Sequence, residues 1–176
     1  MHIMSSTDAA RQKTRLMFKN KRHMVAAVLF LIYFIVLFYF LFFSEELGRT
    51  FSDRVYRYNL VPLKEIKRFL QYRDVLGEKA VFLNLAGNVI AFMPFGTFLP
   101  TFFERCRKIF FTVWYSFELS LTVELLQLIF KVGSFDVDDL LLNTIGGLFG
   151  FFVYVVIARL FSQKQHRQGG KENETT

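Results

Sequence analysis

The sequence predicts an all-α polytopic membrane protein, a bundle of about four transmembrane helices with an external amphipathic helix. Of its 176 residues, 53% are hydrophobic and 24 are phenylalanine. The 22 basic and 15 acidic residues gather in the tails and between long apolar runs, whereas a soluble helical protein distributes charges along every helix. Each apolar run is long enough to cross the hydrocarbon core of a bilayer.

The first predicted span covers residues 24–43, which contain no charged residue. At 1.5 Å per residue this run measures about 30 Å, the thickness of a bilayer core. The basic residues before it also suit a signal peptide, but Ser44, Glu45 and Glu46 offer no small-residue cleavage site. We therefore expect an uncleaved anchor that follows a basic cytoplasmic segment at residues 1–23.

Three further spans are predicted, at residues 80–103, 109–130 and 140–161. Residues 24–161 would then form one transmembrane domain. Residues 162–176 are polar and contain glycine, so we expect a mobile, solvated tail rather than a domain.

Small residues interrupt two of these spans. Gly146 and Gly150 have the small-xxx-small spacing that lets helix backbones approach closely. We therefore interpret these glycines as a helix-packing surface rather than as part of a reactive site. Pro94 and Gly96 likewise predict that the second span is bent or locally thin, which would shape the pocket beside it.

The distribution of basic residues predicts the orientation in the membrane. Basic residues precede the first span and occupy the connection between the second and third, which places both on the cytoplasmic side. The connection at residues 131–139 has three aspartates against one lysine and falls outside. Both termini are then cytoplasmic. The connection at residues 44–79 also falls outside, although its eight basic residues against six acidic ones weaken the assignment.

An external amphipathic helix is predicted within that long connection. Apolar residues recur at helical spacing, and basic residues occupy the other side. The apolar set is Leu63, Ile66, Phe69 and Leu70, and the charged set is Lys64, Glu65, Lys67 and Arg68. Pro62 suits its first turn. The helix lies either on the membrane surface, facing anionic headgroups, or against the spans.

Six polar residues are predicted to converge at one depth, in the outward-facing third of the bilayer, because helix phase and rise place them at one level. Hydrocarbon cannot satisfy such groups, so they should face one another or water. They either join the helices by hydrogen bonds or form a ligand-binding site, and the acids favour the site. The set is Asn84, Asn88, Glu124, Gln127, Asp139 and Asn143.

Other acidic residues and the cysteine have simpler interpretations. Asp136, Asp138 and Asp139 suit either a hard cation or the capping of the fourth span, and capping is favoured because no EF-hand spacing is present. Neither a metal nor a cofactor is expected. Glu118 lies on a different helix face from Glu124. Its side chain is either protonated within the membrane or faces a second interface, and the sequence leaves both interpretations open. Cys106 is the single cysteine, which excludes an intrachain disulfide.

Four motifs resemble the VanZ-like family of small bacterial membrane proteins. They occur in the order and spacing of that family and extend over roughly residues 25–160. In this sequence they are Asn59-Leu-Val-Pro-Leu63, Asn84-Leu-Ala-Gly-Asn88 continuing to Gly96, Ser120-Leu-Thr-Val-Glu124-Leu-Leu-Gln127, and Phe135-Asp136-Val-Asp-Asp139 continuing to Gly147. Many family members carry an arginine shortly before the aspartates, where this chain has Ser134.

The resemblance implies a location in the bacterial cytoplasmic membrane and a link with resistance to teicoplanin-like antibiotics, which act at the outer face of that membrane. It implies no catalytic mechanism, and fold follows from it more securely than phenotype.

The residues and the resemblance leave three functions open. The first is a non-enzymatic protein whose outer-leaflet pocket binds a lipid headgroup, cell-wall precursor or lipoglycopeptide and lowers susceptibility to teicoplanin-type antibiotics. The second is a membrane-embedded enzyme acting on a polyprenyl phosphate or phospholipid, and the third is a helix-pairing scaffold. The expected partners are membrane lipids, with a homo-oligomer left open, and nucleic acid is not expected because no groove-reading motif is present.

Overall fold

The computed structural model describes residues 6–43, 56 and 58–173, and within this part the protein is mainly helical. In chain order the elements are α1 (Ser6–Phe43), β1 (Tyr58–Asn59), α2 (Lys64–Gln71), α3 (Arg73–Leu76), α4 (Glu78–Phe102), α5 (Ile109–Phe130), β2 (Phe135–Asp136) and α6 (Val137–Asn173). A short 3₁₀ helix, Glu104–Arg107, joins α4 to α5.

Four of the described helices are long and apolar enough to cross a membrane. The candidate spans are His23–Phe42, Asn84–Phe102, Ile109–Phe130 and Val137–Gln163. Their outer faces are apolar and exposed: Leu31, Ile35 and Phe40 are each more than half exposed. Such surfaces are rare on soluble proteins and are expected where lipid surrounds the helices. The predicted all-α polytopic fold class is therefore confirmed.

The helix α6 extends further than expected. The sequence predicts a mobile polar tail from residue 162, whereas α6 continues as helix to Asn173. The extension is rich in Gln, Lys and Arg, which favour helical backbone, and it contains no proline. Two successive glycines, Gly169 and Gly170, do not end it.

Helices α4 and α6 pack backbone to backbone through glycines. A Cβ atom added at Gly96 would lie closer than 3.0 Å to the Gly147 carbonyl group. One added at Gly146 would meet the Val89 carbonyl, and one at Gly150 would meet the Met93 carbonyl. The predicted small-residue contact is confirmed, since these helices can approach only where side chains are missing.

Helix α1 packs on α4 through aromatic rings. Phe30 stacks on Phe95 with 6.2 Å between ring centroids, and it also contacts Phe98 and Phe102. The Tyr33 hydroxyl donates a hydrogen bond of 2.9 Å to the Ala91 carbonyl oxygen. A buried hydroxyl in an apolar layer needs such a partner, so this bond accounts for a tyrosine in the first span.

The connection between the first and second spans meets the connection between the third and fourth in a short parallel strand pair, in which Tyr58 pairs with Phe135 and Asn59 pairs with Asp136. After β1 the chain turns into α2. The predicted place of Pro62 in the first turn of this helix is wrong, because α2 begins at Lys64. Pro62 lies in a preceding turn, and Leu63 adopts a left-handed backbone conformation with φ 63°, which a helix interior does not accommodate.

Candidate functional site at the loop end of the bundle

The loop end of the bundle comprises α2, β1, β2, the start of α4, the end of α5 and the start of α6. Asp138 is its central residue, only 1% exposed. One carboxylate oxygen accepts a hydrogen bond from the Leu63 backbone N–H. The other accepts bonds from the backbone N–H groups of Glu65, at 2.8 Å, and Ile66, at 3.1 Å. Asp138 thus caps α2, a helix from a distant part of the chain.

This cap stabilises an otherwise unfavourable local arrangement. The N-terminal N–H groups of a helix lack partners within that helix and carry partial positive charge, which a carboxylate satisfies. The same contact holds Leu63 in its left-handed conformation. This role is not predicted from the sequence, where the aspartates suit either a hard cation or caps of their own helix.

Asp136 fulfils that expected role for α6. Its Oδ1 accepts a 2.8 Å hydrogen bond from the Asp138 backbone N–H, in the first turn of α6, and a 3.1 Å bond from the Asn59 side-chain amide. Burial raises the pKa of the Asp136 carboxyl group, which these two hydrogen bonds and the nearby Arg68 oppose. Asp136 therefore joins α6 to the segment that leads into α2.

Asp139 contacts a different element, α4. Its carboxylate accepts a hydrogen bond from the side-chain amide of Asn88, as the predicted convergence requires. Asn84 lies one helical turn before Asn88 on α4 and is exposed. The three neighbouring aspartates therefore bind three different elements. Among the described residues, no three His, Cys, Asp or Glu side chains are grouped so that they could hold a metal ion.

Glu124 lies beneath these contacts and is 2% exposed. Its Oε2 accepts a 2.9 Å hydrogen bond from the Asp136 backbone N–H, so α5 holds the start of α6 in place. An acid buried at this depth is unfavourable unless it is hydrogen-bonded, and the bond to the loop backbone meets that requirement.

Asn143 lies one turn below Asp139 and is 2% exposed. Its side-chain amide donates a 2.9 Å hydrogen bond to the Ser120 hydroxyl on α5. Within the described structure, its amide oxygen has no hydrogen-bond partner. A buried, unsatisfied carbonyl of this kind is uncommon in folded proteins.

Gln127 points elsewhere. Its amide donates a 2.8 Å hydrogen bond to the carbonyl oxygen of Leu41, near the end of α1, where the last carbonyl groups of a helix lack partners within it. The structure thus joins Asn88 to Asp139, but Glu124 and Asn143 bond to different groups and Gln127 fastens α1 to α5. The sequence does not predict the contacts that centre on Asp138 and Asn59. The Asn59-to-Leu63 motif is the one sequence signal that points to them.

The exposed side of α2 is basic. Lys64, Lys67 and Arg68 are exposed, and Arg68 pairs with Glu65 on the neighbouring turn. The apolar side is only partly covered: Ile66 and Phe69 are half-buried, whereas Leu70 is 54% exposed. Nearby, the Lys131 ammonium lies 4.3 Å from the centroid of the Tyr56 ring. This helix is therefore docked on the spans and also offers exposed basic and apolar groups.

The fold and this cluster define a multi-pass α-helical membrane protein in which an amphipathic helix is fastened to one end of the bundle. The chain belongs to the VanZ/LLP1 family, whose family model matches residues 30–159. The resemblance noted from the motifs is thereby confirmed.

Protein VanZ of Enterococcus faecium is similar to this chain, with 37% identity over 86 residues. The match covers 48% of this chain and 52% of that relative, so the chain spans about half the length of the curated relative it matches. No solved structure matches.

Proposed function

We propose that this protein binds a phosphate-bearing lipid headgroup, lipid-linked cell-wall precursor or lipoglycopeptide at the loop end, in the outer leaflet, and so lowers susceptibility to teicoplanin-type antibiotics. The observation that carries the proposal is the Asp138 cap, which holds the basic helix α2 in one fixed position on the bundle.

The charges on α2 suit an anionic group. Lys64 and Lys67 present ammonium groups on the exposed side, and Arg68 adds a guanidinium, which can bind phosphate oxygens in pairs. The exposed apolar side chain of Leu70 suits the boundary between headgroups and acyl chains. A helix fixed in advance loses less conformational entropy when it binds than a mobile one does.

Two acidic residues support this surface from below. Glu124 and Asp139 position the start of α6, which carries Asp138, so their effect on α2 passes through hydrogen bonds. Asn84 is exposed beside this cluster and is proposed to contact the ligand directly. Asn143 has an acceptor oxygen without a partner among the described residues, and it is proposed to complete the site when the loop end rearranges around a ligand.

The orientation that places this end outside rests on the positive-inside rule. The connection between α4 and α5 carries Arg105, Arg107 and Lys108 at the opposite end of the bundle. With that end in the cytoplasm, α2 and the acidic cluster face the cell wall, where lipid-linked precursors are used.

The test is expression in a sensitive Gram-positive host, with the inhibitory concentration of teicoplanin as the measurement. Wild-type protein should raise this concentration. Replacing Lys64, Lys67 and Arg68 together by Gln should cancel the increase at an equal protein level, because the anion-binding charges are removed. Glu124→Gln and Asn143→Ala should each reduce the increase in inhibitory concentration, because they disturb the hydrogen bonds that join α5 to the start of α6.

The matched control is Arg73→Gln, an exposed basic residue on α3 that pairs only loosely with Asp74, at 3.7 Å. It should retain the wild-type effect. Purified wild-type protein in phosphatidylcholine nanodiscs should also bind added undecaprenyl phosphate more tightly than the triple variant does. Equal binding by both proteins, or full resistance from the triple variant, would contradict the proposal.

A further inference from the structure

The proposed function does not use the end of the bundle opposite α2. A cavity of about 760 Å³ lies between α4, the 3₁₀ helix and α5. This volume falls within the range of small-molecule sites in proteins. Its wall is mostly apolar and aromatic, and is formed largely by Phe95, Leu99, Phe102, Phe103, Tyr115 and Leu119.

A carboxylate enters this apolar wall. Glu118 lines the cavity and lies within the candidate span Ile109–Phe130, about nine residues or 13 Å from the start of that helix. The hydrogen bond that the structure shows to its side chain comes from its own helix, from the Trp114 indole N–H at 2.7 Å. An ionisable group at this depth is costly in a membrane and usually marks a functional site.

We propose that this cavity binds lipophilic monocations, with Glu118 as the counter-charge and the aromatic rings as the apolar and cation–π contacts. Positive charge is attracted to the faces of phenylalanine and tyrosine rings, more strongly where water is excluded. The other charged lining groups are Glu104 and Arg105, which lie on the 3₁₀ helix and carry opposite charges. Glu118 is therefore the acidic lining group that lies within a candidate span.

The chain offers a built-in reporter of this site, because Trp114 is its single tryptophan and is bonded to Glu118. Full-length protein in phosphatidylcholine nanodiscs would be titrated with tetraphenylphosphonium, a lipophilic monocation. Binding would be followed by Trp114 emission and, independently, by equilibrium dialysis of the radiolabelled cation. Wild-type protein should bind the cation at least about tenfold more tightly than neutral triphenylphosphine, since only the cation gains from the carboxylate.

The variant Glu118→Gln keeps the size of the side chain and removes its charge. It should weaken tetraphenylphosphonium binding about tenfold or more and leave triphenylphosphine binding unchanged. Glu78→Gln makes the same chemical change in the first turn of α4, at an exposed residue outside the cavity lining, and should bind the cation as the wild type does.

Equal binding of the cation by wild type and Glu118→Gln would overturn the proposal. So would equally tight binding of triphenylphosphine by the wild type, which would indicate an apolar groove that any lipid chain can fill. The second comparison uses only wild-type protein and does not depend on how well the variant folds.

Discussion

At the scale of single residues, Asp138 shows how one carboxylate can position a whole helix. Asn at this position would keep one acceptor oxygen, but both oxygens of Asp138 are used. We expect Asp138→Asn to destabilise the docking of α2 by about 1–2 kcal/mol, a typical loss for a helix cap. Hydrogen exchange of the Leu63, Glu65 and Ile66 amides should accelerate about tenfold or more.

The control for this variant is Asp74→Asn, which makes the same change on α3 at a side chain that is 86% exposed. Its amide exchange at α2 should match the wild type. Unchanged protection of the three α2 amides in Asp138→Asn would show that other contacts hold the helix.

Asp136 predicts a specific pH dependence. Burial raises its pKa above the usual value of 3.8, so the folded protein binds more protons than the unfolded chain in the window above that value. Stability is therefore lost as the pH rises through the raised pKa. Asp136→Asn retains the Oδ1 acceptor of both hydrogen bonds and cannot ionise, so it should remove this loss.

The measurement is thermal unfolding in detergent from about pH 4 to about pH 7. The melting temperature of Asp136→Asn should rise relative to the wild type across this range, because only the wild type must ionise a buried carboxyl group. Parallel curves for the two proteins would refute the role assigned to burial.

At the scale of elements, the glycines set the distance between α4 and α6. Gly96→Ala places a Cβ atom against the Gly147 backbone, which cannot move aside as a flexible side chain can. We expect a loss of about 1–3 kcal/mol or more, the range for overpacked interiors. The loss would appear as a lower melting temperature and lower yield of folded protein.

Gly87→Ala is the matched control on the same helix, since nothing lies within 4 Å of the position that its added Cβ atom would take. It should be neutral or stabilising by up to about 1 kcal/mol, because alanine favours helix more than glycine does. If both variants lose the same stability, the packing explanation fails.

The sequence predicts well those elements whose structure depends on residues that are close together in the chain. A span is recognisable because a long, predominantly apolar run is enough to show that a helix suits a bilayer. The short pair of β1 and β2 is different, because its residues lie far apart in the chain and only two residues of each strand take part. Asp136, Asp138 and Asp139 are chemically alike, and their different partners follow from the position of Asp136 in β2 and of the other two in the first turn of α6. Contacts between residues far apart in the chain cannot be read from helix phase. For this reason the sequence predicts Gln127 in the polar cluster, although its partner is the carbonyl of Leu41.

At the scale of the whole molecule, the predicted orientation places both termini in the cytoplasm. Cys106 makes this testable, because it is 1% exposed and burial raises the pKa of its thiol, so it should react slowly with maleimides. Ser134→Cys, on the exposed connection before α6, should be labelled by an impermeant maleimide in intact cells. Glu104→Cys, in the connection between α4 and α5, is also exposed and should be labelled only after the cells are opened.

Wild-type protein gives the background for both labelling reactions. Labelling of Glu104→Cys in intact cells, with Ser134→Cys protected, would reverse the orientation and move the proposed ligand site to the cytoplasmic leaflet.

The bond between Leu63 and Asp138 joins residues 75 positions apart, and this separation sets an order of events during synthesis. When α2 leaves the ribosome, the carboxylate that caps it has not yet been made. Two further membrane crossings must be completed before Asp138 can reach α2. The basic surface should therefore take its final form only at the end of biogenesis, and nascent chains stalled before residue 138 should carry α2 undocked.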